Sequence, residues 1–516
     1  MKSSYTLSYV KIYFWQFLSV LLGLASLFVV IPYLSADKSV FGIYSICISL
    51  TIFYSYADIG FLSAGQKYAA ENYARGDSVN EIKIISFTSF IFFLFVTIIS
   101  LIIFGLSFNP KLLISNINSV HELLIARQLL MILALSSPIL VFQRTLQSIF
   151  TIRVQDYIFQ RFSVIGNIIK ILSVFIFFGV DRYSIVQYFL FTQIINLVIV
   201  IISILYVRIR ISFSWKLFFK SFRFHIETYN HVKTLAYASL ILTLSWILYY
   251  ELDLFVIGKL FGAVSAGVFA IALSLLSLFR SFLGIFYSPF TARFNHFIGN
   301  NNMDGLKAFF MHIIKILLPA VVIPILVVSV LSKSFILAWV GPQYNESILI
   351  ASLLVLCNIL AFISYPAGAL FIALERVKIL YLNAILIPFL YWGGIFLTYS
   401  LLGLKSFAIF KIAAFIISSL VYLYYSLQFT GISIFSFIKT VILPYVFPIT
   451  ISVLIAIYFK DMLPIEHSKL ALMYNILTIA IIILIGFGVS LFTSRYLKNY
   501  VFSVLNLIIK SDSIKY

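Results

Sequence analysis

The chain has 516 residues, of which 62% are hydrophobic and only 10% charged, with a formal net charge of +19. Soluble domains carry roughly 25% charged residues and are about half apolar, so this chain has too little polar surface to face water and requires lipid as solvent. In lipid only helices and closed barrels satisfy the backbone, and the apolar runs here are continuous and about twenty residues long, not alternating, which excludes a barrel.

The first apolar run, about 12–34, is too long for a signal-peptide core and ends on Pro32-Tyr33 without a small-residue cleavage site, so it reads as a retained span. Further spans are expected at about 40–64, 84–108, 123–150, 161–179 and 183–207, forming an N-terminal six-helix bundle over 1–207. A cytoplasmic linker follows at 208–231. On a helix, Lys216, Lys220 and Arg223 share one face and Trp215, Phe218, Phe219 and Phe222 the other, a pattern that suits the headgroup layer. A C-terminal bundle over 232–428 holds spans at about 232–258, 262–292, 309–331, 348–373, 378–402 and 405–428. Residues 429–516 carry two more, at about 439–460 and 470–493, and a cytoplasmic tail; 432–438 reads as a second interfacial segment. The fold class is therefore an all-α polytopic membrane protein of about 14 transmembrane helices.

With the N-terminus in the cytoplasm, about 23 Lys and Arg fall in cytoplasmic connections and about 8 on the other side, a strong positive-inside bias. Both termini are then cytoplasmic, with Asn80 and Asn230 inside and Asn118 and Asn345 outside. The charge is thus accounted for by topology and by membrane lipids, not by nucleic acid. Cys47 and Cys357 both sit in apolar runs and read as inert thiols.

The halves repeat. Val40-Phe41-Gly42-Ile43-Tyr44-Ser45-Ile46 matches Ser265-Ala266-Gly267-Val268-Phe269-Ala270-Ile271 at an offset of 225, and 75–83 can be set against 299–307 at an offset of 224. Six spans separate equivalent points, so the two bundles share one orientation: parallel, pseudo-symmetric repeats, with the last two spans outside them.

Three elements carry a family resemblance. Asp58-Ile59-Gly60-Phe61 closes the second span; Asp253-Leu254-Phe255-Val256-Ile257-Gly258 precedes Ala266-Gly267-Val268-Phe269-Ala270-Ile271-Ala272; and Trp339-Val340-Gly341-Pro342-Gln343-Tyr344 stands before the tenth. With the span count and loop lengths, they resemble the multidrug/oligosaccharidyl-lipid/polysaccharide (MOP) exporter superfamily, and within it the O-antigen type of polysaccharide flippase (Wzx-type). The resemblance implies an undecaprenyl-pyrophosphate-linked oligosaccharide as cargo and a bacterial cytoplasmic (inner) membrane location. It also implies partners among other polysaccharide-assembly membrane proteins.

A charge deep in a span is costly and is by default a functional candidate. Arg280 and Lys170 lie nearest the middle of their spans, each on a polar stripe: Ser277, Arg280, Ser281, Gly284 and Ser288, and Ser163, Asn167, Lys170 and Ser173. Lys315 and Lys411, with Arg127 and Arg144, lie within about two turns of span ends, where snorkelling competes with function. The four candidates for holding an anionic substrate are Arg280, Lys170, Lys315 and Lys411; the alternative for each is an internal pairing that serves packing. Asp58, Glu251 and Asp253 are candidates for ion coupling, with charge pairing as the alternative. No catalytic residue, metal site or cofactor is expected: there is no phosphate-binding Gly-rich loop with its Lys, and the histidines are scattered. The reading is a flippase for a lipid-linked oligosaccharide. The alternatives are an ion-coupled drug or small-molecule exporter of the same superfamily and, less favoured because the outer loops are short, a membrane glycan polymerase or ligase.

Overall fold

The structure, a computed structural model, describes residues 2–501 apart from 118, 180, 181 and 212; for 2–10, 13 and a scatter of positions between 234 and 292, Ser288 among them, it describes the backbone only. Asn118 and the C-terminal tail, whose sides of the membrane were assigned above, lie outside the described residues. The described chain is all-α but for one antiparallel pair, Phe178–Gly179 with Arg182–Tyr183.

Twelve helices are long and apolar enough to cross a membrane, and thirteen if Ser347–Leu356 and Ala361–Ala373, which meet at 47°, form one bent span. One of the twelve is a 42-residue stretch, Thr243–Gly284. As one helix it would be about 63 Å long, roughly twice the hydrocarbon core. It is broken at Gly262, whose φ/ψ of 85/−179 are not helical. Counted as two, it brings the described spans to the expected fourteen.

Two compact units divide the chain at 270/271. The expected repeat boundary at 208–231 is a different line: helix Ile226–Trp246, first in the second repeat, packs on helix Phe61–Ala74 of the first unit. In that unit Ser78–Phe108 lies along Val120–Ile152, and Lys2–Leu34 along Asp156–Phe177. In the second unit Met303–Val330 is flanked by both extra spans, Leu443–Phe459 and Lys469–Thr493. Asn475 anchors the last span by donating from Nδ2 to the Ser334 and Pro464 carbonyls, at 3.2 and 3.0 Å.

The motifs acquire physical reasons. Gly42 and Gly267, matched by the repeat, touch each other within the first unit: a Cβ on Gly267 would lie 2.5 Å from the Lys38 carbonyl oxygen and 3.4 Å from the Gly42 Cα. Small residues at such a crossing let two backbones approach as no larger side chain would. The second match needs a correction of one residue. Gly76 (φ 78) precedes Asp77, whose carboxylate caps Ser78–Phe108 by accepting from the Asn80 N–H; Asn301 (φ 52) precedes Asn302, whose side chain caps Met303–Val330 by accepting from the Gly305 N–H. These corners correspond at an offset of 225, the same as the glycine match. Segment 332–347, between the spans expected at about 309–331 and 348–373, forms a buried helix, Ser332–Val340, and a short 3-10 turn. Trp339 and Tyr344 are buried there, and Gly341 turns the chain at φ 92.

The linker forms only a short helix, Trp215–Lys220, which leaves Phe222 and Arg223 beyond its end, and Phe219 of the expected apolar face is exposed. Phe218 is buried, its carbonyl accepting from Ser86 Oγ at 2.7 Å, while Lys216, Lys220 and Arg223 are exposed. The segment expected at the interface over 432–438 runs without a break into the thirteenth span, Ile434–Phe459, with Ile434, Phe435 and Ile438 exposed.

Candidate functional site

The second span does not continue through its acidic residue. Helices Lys38–Ser49 and Thr51–Ser55 end, and Phe61–Ala74 begins, across a break at 56–60. Ile59 (φ 49) and Gly60 (φ 78) are both left-handed. Glycine adopts that region freely, whereas a β-branched residue there is an outlier costing roughly 1–2 kcal/mol. Asp58 holds the break: its Oδ2 accepts from the Leu62 N–H at 3.1 Å, and its carbonyl from the Phe61 N–H at 2.8 Å. Non-helical backbone within a membrane-spanning bundle is tolerated where it lines a cavity, and strain of this kind collects at functional sites.

A cavity is there. A polar pocket of about 260 Å³ opens beside the break, walled on one side by Ser55, Asp58, Leu62, Ser63 and Gln66. Helix Val120–Ile152 supplies the other wall with Arg144, Gln147, Ser148 and Thr151, a three- and four-residue spacing that puts all four on one face. The walls are tied together by Gln66 Nε2, which donates to Ser148 Oγ at 2.9 Å; that hydroxyl donates in turn to the Arg144 carbonyl at 3.0 Å. Asp58 and Arg144 share the pocket without closing to an ion pair. Of these residues only Asp58 was singled out from the sequence as a site. Arg144 was set aside as a snorkelling side chain; the stripe of Arg144, Gln147, Ser148 and Thr151 was the signal that would have found it.

The other expected residues are dispersed. Lys170 is half-buried and donates from Nζ to Asn196 Oδ1 at 2.6 Å, on helix Ile185–Arg210; Asn196 Nδ2 donates to Gln193 Oε1 at 3.3 Å. Lys315 lies 5.0 Å from the Tyr496 ring centroid, and His312 beside it bonds the Tyr496 hydroxyl through Nδ1. Lys411 is fully buried, its Nζ 5.0 Å from the Tyr391 ring centroid, so it does not snorkel to a span end. Arg127 is exposed at its helix end over Phe108, as a snorkelling residue is. Arg280 is half-buried in Asp253–Gly299, next to Ser281, whose hydroxyl donates to the Ser277 carbonyl. Glu251 ends a π-helical turn, Ile247–Glu251, and Asp253, fully buried, begins the next helix. Trp246, Tyr249 and Tyr250 cluster at that turn with centroids 4.3–5.9 Å apart. Such π-turns are frequent at functional sites. Among the described residues no three His, Cys, Asp or Glu come together as a metal site would require.

No protein-family model matches the chain, and no curated protein does. Solved structures do. A structure of the lipid II flippase MurJ in an inward closed conformation superposes with a TM-score of 0.65 at 15% identity, over 94% of this chain and 98% of that one. An inward-facing multidrug resistance transporter of the MATE family, in the MOP superfamily, gives 0.64 at 13% identity, over 80% and 94%. A MOP superfamily transporter from Pyrococcus furiosus gives 0.50 at 12% identity, over 83% and 94%. The chain has the fold of MOP superfamily transporters. At these identities the likeness establishes the architecture, and the cargo has to be argued from this chain's own residues.

Proposed function

We propose that the protein is a transporter that flips an undecaprenyl-pyrophosphate-linked oligosaccharide repeat unit, of O-antigen or a similar surface polysaccharide, from the inner to the outer leaflet of the bacterial cytoplasmic membrane. The observation that carries this reading is positive charge held inside spans by neutral partners. Lys170 is fixed by Asn196 and Lys315 lies over Tyr496, and among the described residues neither cation is paired with a carboxylate. A positive field within an apolar bundle suits an anionic cargo such as a lipid pyrophosphate. Arg280 extends it, because a planar guanidinium matches phosphate oxygens in pairs. The likeness to a lipid II flippase over nearly the whole of both chains supports the same reading. An ion-coupled drug exporter is the second reading, supported by the similar fold score of the multidrug transporter and by the acids Asp58, Glu251 and Asp253.

In this account Arg280 faces water, not lipid. A guanidinium facing lipid at mid-depth would cost at least about 2.5 kcal/mol on insertion scales. Arg280→Ala is expected to abolish surface glycan while the protein still accumulates in the membrane, and Arg280→Lys to retain part of the activity. Normal surface glycan with Arg280→Ala at wild-type abundance would end the role given to Arg280. The orientation has its own check: with an impermeant thiol reagent on intact cells, a cysteine at Asn345 should label and one at Asn80 or Asn230 should not.

A further inference from the structure

We propose that the pocket at the break in the second span binds one neutral sugar ring of the cargo through its hydroxyl groups, a reading that rests on the oligosaccharide transport argued above. The balance of groups decides the class of ligand. Asp58 offers only acceptors, and one carboxylate oxygen is already taken by the Leu62 N–H. Arg144 offers only donors, and it has neither an ion pair nor a side-chain hydrogen bond among the described residues. A bound anion would be repelled by Asp58 and a bound cation by Arg144. A hydroxyl donates and accepts at once, so vicinal hydroxyls on a ring satisfy the carboxylate and the guanidinium together, and each such contact is charge-assisted.

Size and rigidity agree. About 260 Å³ lies below the roughly 300–1,000 Å³ of pockets that enclose drug-sized molecules, which leaves room for a single ring. Gln66 is fixed on Ser148 and Asp58 on the helix start, so two of the contacting side chains are set before the ligand arrives. Gln147 adds an amide able both to donate and to accept. No aromatic ring lines the pocket, so binding is by polar contacts alone and is weak, in keeping with a cargo that has to leave.

The test uses the full-length protein in nanodiscs, free of sugar detergents. Both native cysteines are buried, so Ser63→Cys places an accessible thiol on the pocket wall. Its rate of labelling by N-ethylmaleimide is measured with methyl glucopyranoside, methyl galactopyranoside, N-acetylglucosamine, N-acetylgalactosamine, inorganic pyrophosphate or sodium chloride. At least one neutral sugar should slow labelling severalfold in a saturable way. The protection, read in each variant as the ratio of its own labelling rates with and without sugar, should disappear when Arg144→Gln or Gln147→Ala is added. Protection by pyrophosphate alone would make this an anion site, and protection by sodium alone a cation site; either overturns the proposal, as does the absence of protection by every sugar. Sugar protection that survives in a protein unable to deliver surface glycan would sink the transport reading and leave the pocket. Glycan delivery without protection does the reverse.

Discussion

At the start of the second span, Gly42 lies so close to the chain after Gly262 that an added Cβ would stand 1.8 Å from the Ala263 carbonyl oxygen. Around it Ile43, Ile46, Val268 and Phe269 are completely buried. Further along the same span the helix breaks, an isoleucine is left-handed, and an aspartate and an arginine face one pocket unpaired. The first region is dry and close-packed; the second is polar, strained and open. Packing accounts for every residue of the first and for few of the second, and it is the second that has to be assigned a task.

Substitutions sharpen that contrast. The largest effect is expected at the packed end. Gly42→Leu would drive a side chain into backbone, which cannot give way, so the loss should exceed the roughly 1–3 kcal/mol of ordinary overpacking and the protein should vanish from the membrane fraction. Gly23→Ala, with open space around it, is the control and should leave abundance unchanged.

Next comes a comparison of two carboxylates. Arg153 contacts Glu81 at 2.7 Å with both side chains nearly inaccessible, and Arg153 also donates to the Ile149 carbonyl and lies over Tyr73. Glu81→Ala leaves a buried guanidinium uncompensated and should cost about 3–5 kcal/mol in thermal or denaturant unfolding. Asp58→Asn breaks no ion pair, so its cost should be within about 1 kcal/mol while transport falls. Equal destabilisation by the two would erase the distinction between a structural carboxylate and a working one.

A smaller effect is expected at Ile59. Ile59→Gly relieves about 1–2 kcal/mol of left-handed strain, less the roughly 0.4–1 kcal/mol that the more flexible unfolded glycine returns. A modest rise in Tm with reduced transport would mark the strain as serving the site; a fall in Tm would contradict it. The smallest concerns Asp77, outside the spans. Hydrogen bonds from the Asn80 backbone N–H and then the Asn80 side chain hold its carboxyl below the usual carboxylate range. A depressed folded-state value stabilises above the unfolded value, so this small contribution is present at neutral pH and is lost as pH falls through the folded value. Asp77→Ala should abolish that acid dependence.

The spans were legible because hydropathy reports the solvent directly: a continuous apolar run of bilayer length is what a helix needs to cross and what a soluble domain rarely carries. The repeat was legible at Gly42 and Gly267 because two touching backbones demand glycine on both sides. It slipped by one residue at Gly76-Asp77 because the equivalent corner uses Asn301-Asn302, and a glycine and an asparagine that share a left-handed conformation look unlike in sequence. Depth within a span does not show what a charge faces. Asn196 lies against Lys170 and Tyr391 against Lys411, while Arg144, near a helix end, opens on a polar pocket. What distinguishes them is the company each keeps across neighbouring helices, which one strand of sequence does not display. Ser332–Val340 was missed for a related reason: nine residues are too few to read as a span, and only burial shows that they are no loop.

The most direct measurement is of cargo crossing. The purified protein would be reconstituted into vesicles holding a polyprenyl-pyrophosphate-linked oligosaccharide in both leaflets, and the fraction open to an external glycosidase followed over time. The account predicts that access rises from the outer leaflet's share toward the whole pool only when the protein is present. Access that stays at the outer leaflet's share, in vesicles where the same protein expels a cationic dye down an imposed ion gradient, would contradict it and make the chain a drug exporter.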